Sequence, residues 1–242
     1  MSKTRRAYMT RFVGRCVIFI LCLFLCFAAP EQMEVIEEGN FFKRFSLLHL
    51  LWVIWVVDML QQLVPVKRHI LALGSQKVFS RRFRVEKGYN RAKLVSYIRS
   101  ATSRAYQIFA VWAAAMAALS YLYIKGVVDE VVLLMVSVAF YVCDLICVLF
   151  WCPFRLFLRN RCCTTCRIFN WDHLMMFTPM LAIDSFFARS LLMLAIISWG
   201  VWEVCVLLHP ERFWAGANAA LQCGNCTDKL CTQYCEKKKS FV

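Results

Sequence analysis

The sequence predicts an all-α, polytopic integral membrane protein with about six transmembrane helices, five being the alternative. Of its 242 residues, 61% are hydrophobic and 18% are charged, whereas a soluble domain averages about 45–50% apolar and about 25% charged residues. The apolar residues also form separate blocks long enough to span a membrane, which takes about 20 residues per helix. These observations exclude a soluble globule and favour one membrane domain.

The first predicted unit is an N-terminal transmembrane pair, residues 1–66. Its first apolar block, about 12–29, follows a basic start that contains no acidic residue. Because Pro30 directly after this block is unfavourable for signal-peptide cleavage, we expect an uncleaved first span. A second span, about 45–66, contains Asp58 and is separated from the first by a segment rich in glutamate.

The middle of the chain is predicted to form a basic cytoplasmic loop, residues 67–104, and a transmembrane hairpin, residues 105–152. The loop carries eleven Lys or Arg residues against one acidic residue, and apolar residues recur at helical spacing near its end. A basic amphipathic helix of this kind binds anionic lipid head groups, and docking of an acidic protein is the alternative. The hairpin turns at the polar segment 125–130 and holds Asp144 in its second arm.

The remainder of the chain combines cysteine-rich segments with a long apolar tract. A basic, cysteine-rich loop, residues 153–172, precedes the tract, residues 173–208, and a cysteine-rich tail, residues 209–242. As one helix the tract would be about 54 Å long, against a hydrocarbon core of about 30 Å. Two spans would place 25 of the 29 Lys and Arg residues on one side, and one span would place 21 there. The positive-inside rule therefore favours six crossings of the cytoplasmic membrane with both termini inside, and five crossings remain the alternative.

The tail carries the strongest chemical signal in the sequence, CGNCTDKLCTQYC. Its four cysteines are Cys223, Cys226, Cys231 and Cys235. Thiols at such short intervals suit a tetrahedral zinc ion and also come near the spacing that binds an iron–sulfur cluster. A tail outside the cell would instead favour two disulfides.

A second cysteine set, RCCTTCR, lies in the loop before the apolar tract. Adjacent arginines favour the thiolate form that a metal ion requires, and palmitoylation or a metal-free dithiol is the alternative. The predicted metal ligands here are Cys162, Cys163 and Cys166, with Cys152, His173 and His209 as further candidates. The cofactor is either an iron–sulfur cluster or zinc, and a homo-oligomer in which two chains share a site is an open alternative.

Three acidic residues fall within or at the ends of apolar blocks: Asp58, Asp144 and Glu203. An ionised group inside a membrane is unfavourable unless it is paired or faces a polar cavity. These residues are therefore candidates for a proton or cation route. The alternative is that they hold helices together through hydrogen bonds or ion pairs.

Three functional hypotheses follow from these patterns. The first is a membrane protein with thiolate-bound metal or iron–sulfur sites at its cytoplasmic face, which exchanges electrons with a soluble redox partner docked on the basic loop. The second is a transporter or metal-handling protein with structural zinc, and the third is a zinc-stabilised membrane scaffold. The net charge of +14 indicates orientation and contact with anionic lipid head groups, and no nucleic-acid partner is expected. Enzymatic activity is left open, because the familiar soluble catalytic motifs are absent from the sequence.

Overall fold

The computed structural model describes residues 3–37, 39–43, 45–63, 83–86, 88–158 and 166–225. These residues are mostly helical and contain no β-strand, only an isolated antiparallel bridge between Val85 and Asn218. The α-helices among them are α1 (Lys3–Ala28), α2 (Leu47–Leu63), α3 (Arg91–Ile124), α4 (Glu130–Leu149), α5 (Phe154–Leu158), α6 (Asp172–Phe177) and α7 (Phe186–Leu208). By length and composition α1, α3, α4 and α7 can each cross a membrane, and α2 is a shorter apolar helix. The described part of the chain therefore fits the predicted helical membrane protein.

Three of the long helices begin at a residue that caps the first turn. The capping side chains belong to Asn90, Asp129 and Ser185, and each accepts a hydrogen bond from the backbone N–H three residues later. No glycine or proline interrupts α3 after its cap, so it runs without a break from Arg91 to Ile124. The end of the predicted amphipathic loop is therefore continuous with the third apolar block rather than a separate surface helix.

The helices form an antiparallel bundle with two distinct ends. α1 packs along α4, and the ring of Phe12 near the start of α1 lies 5.4 Å from that of Phe150, just after α4. We call this the basic end, because α1 and α3 begin here with their basic turns, while α2, α4 and α7 end here. The opposite, acidic end carries the 3₁₀ helix Pro30–Ile36 and the turn between α3 and α4.

The core between α2, α4 and α7 is apolar toward the acidic end. Trp55 of α2 is fully buried, and its ring centroid lies 5.0 Å from that of Phe177 and 6.2 Å from that of Phe187. Leu134 and Val138 of α4 are buried in the same cluster. In the described residues, this cluster closes the centre of the bundle with apolar side chains.

Residues 168–183, the broken segment, run through the bundle without forming one regular helix. They comprise the 3₁₀ helix Ile168–Trp171, α6 and the 3₁₀ helix Thr178–Ala182. Pro179 has no N–H with which to continue α6. Thr178 anchors the break, because its Oγ1 accepts a 2.9 Å hydrogen bond from Nε1 of Trp112 in α3. The rises of its three helical pieces add up to about 27 Å, and the segment leads from the basic end into the apolar core. The predicted apolar tract is thus divided into this segment and α7.

The chain that follows α7 folds back over the basic end. Asn218 pairs with Val85 in the antiparallel bridge. The ring of Trp214 lies 6.0 Å from that of Tyr97 in α3. Gly216 makes room for this ring, since a Cβ at that position would stand 2.5 Å from it. These contacts hold the start of the cysteine-rich tail against Val85 and the start of α3.

Candidate functional site

The predicted intramembrane acids Asp58 and Asp144 meet at an arginine of α1. Arg15 is buried, with 8% of its surface exposed. Its Nη1 lies 2.7 Å from Oδ2 of Asp144, and its Nη2 lies 3.7 Å from Oδ2 of Asp58. Nη1 also donates a 2.7 Å hydrogen bond to the carbonyl of Tyr141, and the guanidinium lies 3.8 Å from the centre of that tyrosine ring. Three helices, α1, α2 and α4, therefore converge on one cation.

Asp58 has two further partners. The hydroxyl of Tyr141 donates to its Oδ2 at 2.8 Å, and Nη1 of Arg11 lies 3.8 Å from its Oδ1. Arg11 lies one turn before Arg15 on the same face of α1, and its Nη2 donates to Oε1 of Gln61 at 3.2 Å. We refer to this group as the Arg15 cluster, which consists of Arg11, Arg15, Asp58, Tyr141 and Asp144.

The broken segment adds a histidine and a carboxylate beside the Arg15 cluster. His173 is buried, with 5% of its surface exposed. Its Nδ1 lies 3.0 Å from Oδ1 of Asp172, and its backbone N–H donates to the same oxygen at 2.8 Å. Both side chains are close enough to Asp144 to interact with it electrostatically. The start of α6 thus extends the polar region from α1 and α4 into the bundle.

The Arg15 cluster is electrically balanced when both of its carboxylates are ionised, because it contains two guanidinium groups. Buried charges are tolerated only when they are paired and hydrogen-bonded in this way. Asp144 precedes the end of α4 at Leu149 by about 8 Å. The carboxylate therefore lies near the basic end of the bundle. The apolar core around Trp55 lies beyond it.

Glu203, the third predicted intramembrane acid, forms a second cluster at the end of α7. Its Oε2 lies 2.6 Å from Nη2 of Arg167, and its Oε1 accepts a 2.7 Å hydrogen bond from Nε1 of Trp171. Tyr106 of α3 donates a weaker bond of 3.4 Å to Oε2. We call these four residues the Glu203 cluster. It joins α7 and α3 to the start of the broken segment.

Arg167 connects the Glu203 cluster to the end of the cysteine-rich loop. The side chain is buried, and its Nε lies 3.5 Å from Oγ1 of Thr102 in α3. Among the described residues, its Nη1 has no hydrogen-bond partner. Cys166, the residue before it, is half-buried against the apolar cluster of Ile168 and Trp171. The last predicted thiolate ligand of the loop is therefore held at the basic end.

Most of the predicted metal ligands lie outside the described residues. These are Cys162, Cys163, Cys226, Cys231 and Cys235, together with the side chain of Cys223. Within the described ranges, no group of three or more His, Cys, Asp and Glu side chains is arranged to bind a metal ion. Metal binding by the two cysteine sets stays a prediction.

The remaining candidate ligands have separate partners. Cys152 is buried just after α4, where its thiol is hydrogen-bonded with that of Cys147. His173 pairs with Asp172, and Nδ1 of His209 lies 3.5 Å from Oε1 of Glu211. Of these three, His173 is the one that the structure brings to a cluster of intramembrane charges.

Sequence reasoning did not identify the cations that pair with the intramembrane acids. The basic start of the sequence, which includes Arg11 and Arg15, is explained by membrane orientation, and the arginines beside the second cysteine set, which include Arg167, are explained by thiolate formation. The sequence contains one signal for this site, because Arg11 and Arg15 are four residues apart and share a helix face beside the first apolar block.

Searches with this chain against protein-family models, curated proteins and solved structures find no match.

Proposed function

We propose that this chain is a membrane transporter that conducts protons and that the Arg15 cluster is its proton-carrying site. The proposal rests chiefly on one observation, the burial of Arg15 between carboxylates of two other helices, at 2.7 and 3.7 Å. Ionisable residues inside membrane segments commonly mark ion routes and proton relays. The proposal develops the second of the three hypotheses from the sequence.

In this mechanism Asp144 is the group that takes up a proton from the basic end. Protonation removes the negative charge that attracts Arg15, so the contact between α1 and α4 weakens. Arg15 then pairs more closely with Asp58, which keeps its hydrogen bond from Tyr141. His173 and Asp172 of the broken segment would accept the proton from Asp144. α1 thus has two arrangements: one in which Arg15 pairs with Asp144, and one in which it pairs more closely with Asp58. Proton binding selects between them.

The broken segment supports the transporter proposal independently. Discontinuous helices beside a polar site are typical of secondary transporters, and irregular backbone at membrane depth is tolerated where it is buried in protein. We include in the proposal that this segment crosses the membrane together with α1, α2, α3, α4 and α7. That arrangement gives six crossings, with the basic end and both termini in the cytoplasm.

Proton flux into vesicles tests this proposal. The full chain is reconstituted in liposomes that contain a pH-sensitive dye, and a potassium gradient with valinomycin drives protons inward. We expect wild-type vesicles to acidify faster than protein-free vesicles. Asp144→Asn is expected to abolish this difference, because an amide cannot carry the proton.

Two further variants separate transport from structural support. The double variant Arg15→Gln with Asp144→Asn removes both charges of the pair, so it is expected to remain folded while proton flux is lost. Asp184→Asn is the matched control, since Asp184 pairs with Arg189 on the exposed start of α7, and it should conduct as wild type does. Wild-type flux at the protein-free level, or normal flux in the double variant, would contradict the proposal.

A thiolate metal site at the basic end remains a second candidate function. It is favoured by the contacts of Trp214 with Tyr97 of α3 and of Asn218 with Val85, which hold the start of the cysteine-rich tail at the same end as Cys166. An iron–sulfur cluster there would support electron transfer with a soluble redox partner. Zinc would support a metal-handling transporter or a scaffold without turnover.

Elemental analysis of protein purified without oxygen distinguishes these possibilities. We expect bound metal in the wild type and its loss when Cys226→Ser and Cys231→Ser are combined, because two of four close thiolates are removed. Cys143→Ser is the control, as this cysteine lies on α4 and belongs to neither cysteine set in the sequence. Iron with acid-labile sulfide would favour electron transfer, and zinc without colour would favour the other two functions. Four tail cysteines paired as disulfides would contradict a metal site in the tail.

A further inference from the structure

We propose that a groove between α3 and α5 binds one anionic phospholipid. The groove has a volume of about 730 Å³ and runs along α3 from Ser100 to Ala115. Its other wall is formed by Pro153 and two residues of α5, Phe154 and Phe157. This volume is within the range of about 300–1,000 Å³ that is usual for ligand sites.

The two ends of the groove differ in polarity. Ser100, Arg104 and Gln107 line the end that lies toward the start of α3, and Val111 and Ala115 line the other end. Arg104 is the last charged residue before the uncharged stretch of α3 that continues to Ile124. The polar end therefore lies at the depth of the lipid head groups, and the apolar end lies in hydrocarbon.

The length of the groove matches one leaflet of a membrane. From Arg104 to Ala115 the helix rises about 16 Å, and half of a hydrocarbon core is about 15 Å. An acyl chain lying beside α3 would thus reach from the head-group region to the middle of the bilayer. Phe157, which is exposed, would cover the chain from the side of α5.

The charge at the polar end selects an anionic head group. Arg104 is held in place by bonds from Nη2 to Oγ of Ser100 at 2.6 Å and from Nη1 to the carbonyl of Leu158 at 3.2 Å. A third bond runs from Nε to the carbonyl of Ser100. These three bonds use three of the five N–H groups of the guanidinium and leave two for a ligand. Among the described residues, no acidic side chain lines the groove. A positioned guanidinium without a neighbouring carboxylate favours a phosphate group on a lipid of net negative charge.

Native mass spectrometry of the full chain in detergent tests this site, with phosphatidylglycerol and phosphatidylcholine of identical acyl chains as probes. We expect one phosphatidylglycerol to be retained in preference to phosphatidylcholine. Arg104→Gln should weaken that retention about fivefold, the change that corresponds to about 1 kcal/mol for one basic residue near an anionic lipid. Arg99→Gln is the matched control on the same helix, and it should retain the lipid as wild type does.

A second pair of variants leaves Arg104 unchanged. Ala115→Phe fills the apolar end and should displace the acyl chain, whereas Ala114→Phe, at the adjacent position outside the groove lining, should not. Equal retention of the two lipids by wild type, or full retention by both Arg104→Gln and Ala115→Phe, would overturn the proposal. Inorganic phosphate that displaces phosphatidylglycerol at equal concentration would also overturn it, because the site would then bind an anion alone.

Discussion

Replacing Arg15 with Gln is expected to lower the free energy of unfolding by about 3–5 kcal/mol, the usual effect of removing one partner of a buried ion pair. The substitution leaves the carboxylate of Asp144 without the cation at 2.7 Å. It also removes the hydrogen bond to the carbonyl of Tyr141. Asp58 is affected less, because Arg11 and the Tyr141 hydroxyl remain beside it.

Denaturant titration of the detergent-solubilised protein measures this effect. The double variant Arg15→Gln with Asp144→Asn should recover part of the lost stability, since no unpaired charge is left in the cluster. Arg189→Gln is the control, because its pair with Asp184 is exposed and such pairs contribute about 0–1 kcal/mol. A loss in Arg15→Gln no larger than in Arg189→Gln would show that the buried pair does not hold α1 against α4.

The helices themselves could be predicted from local patterns. Apolar blocks of spanning length predict α1, α4, α7 and the second part of α3, and Asp129 and Ser185, just before α4 and α7, act as caps in the structure. The division of the apolar tract was harder to decide. The place where the tract is divided depends on contacts at Phe177 and Thr178. Trp112 of α3 donates a hydrogen bond to Thr178, and Phe177 packs against Trp55. Such long-range contacts leave no periodic signal in a sequence.

Only the acidic residues of the candidate site could be predicted from the sequence. Asp58, Asp144 and Glu203 stand out because each is a charge in apolar sequence. Arg15 does not stand out, since it ends a run of basic residues that is equally well explained by membrane orientation. Which acid pairs with which cation depends on helix packing, and the pairs Arg15–Asp144 and Arg167–Glu203 bridge 129 and 36 residues of sequence.

Both charged clusters lie at the basic end, and together they flank the start of the broken segment. The Arg15 cluster interacts with His173 of this segment, and the Glu203 cluster includes Trp171 of the same segment. A proton that weakens the first cluster would therefore leave the second in place. In the proposed mechanism, α1 would then move while Arg167 at the end of the cysteine-rich loop stays bound to Glu203.

Replacing Glu203 with Ala is expected to detach that loop and to lower the free energy of unfolding by about 3–5 kcal/mol. The buried guanidinium of Arg167 loses its carboxylate at 2.6 Å, and the indole N–H of Trp171 loses its acceptor. Glu203→Gln should be milder, because its amide oxygen can still accept from Trp171. The double variant Arg167→Gln with Glu203→Gln should recover stability, since it buries no charge.

The rate at which Cys166 reacts with a maleimide, followed by peptide mapping, tests whether the loop itself is released. Cys166 is half-buried beside Ile168 in the wild type, so we expect faster labelling in Glu203→Ala and an intermediate rate in Glu203→Gln. Glu211→Gln is the matched control, because Glu211 faces the partly exposed His209 at 3.5 Å. If Cys166 reacts at the wild-type rate in Glu203→Ala while the protein is destabilised, the Glu203 cluster supports α7 and α3 but does not anchor the cysteine-rich loop.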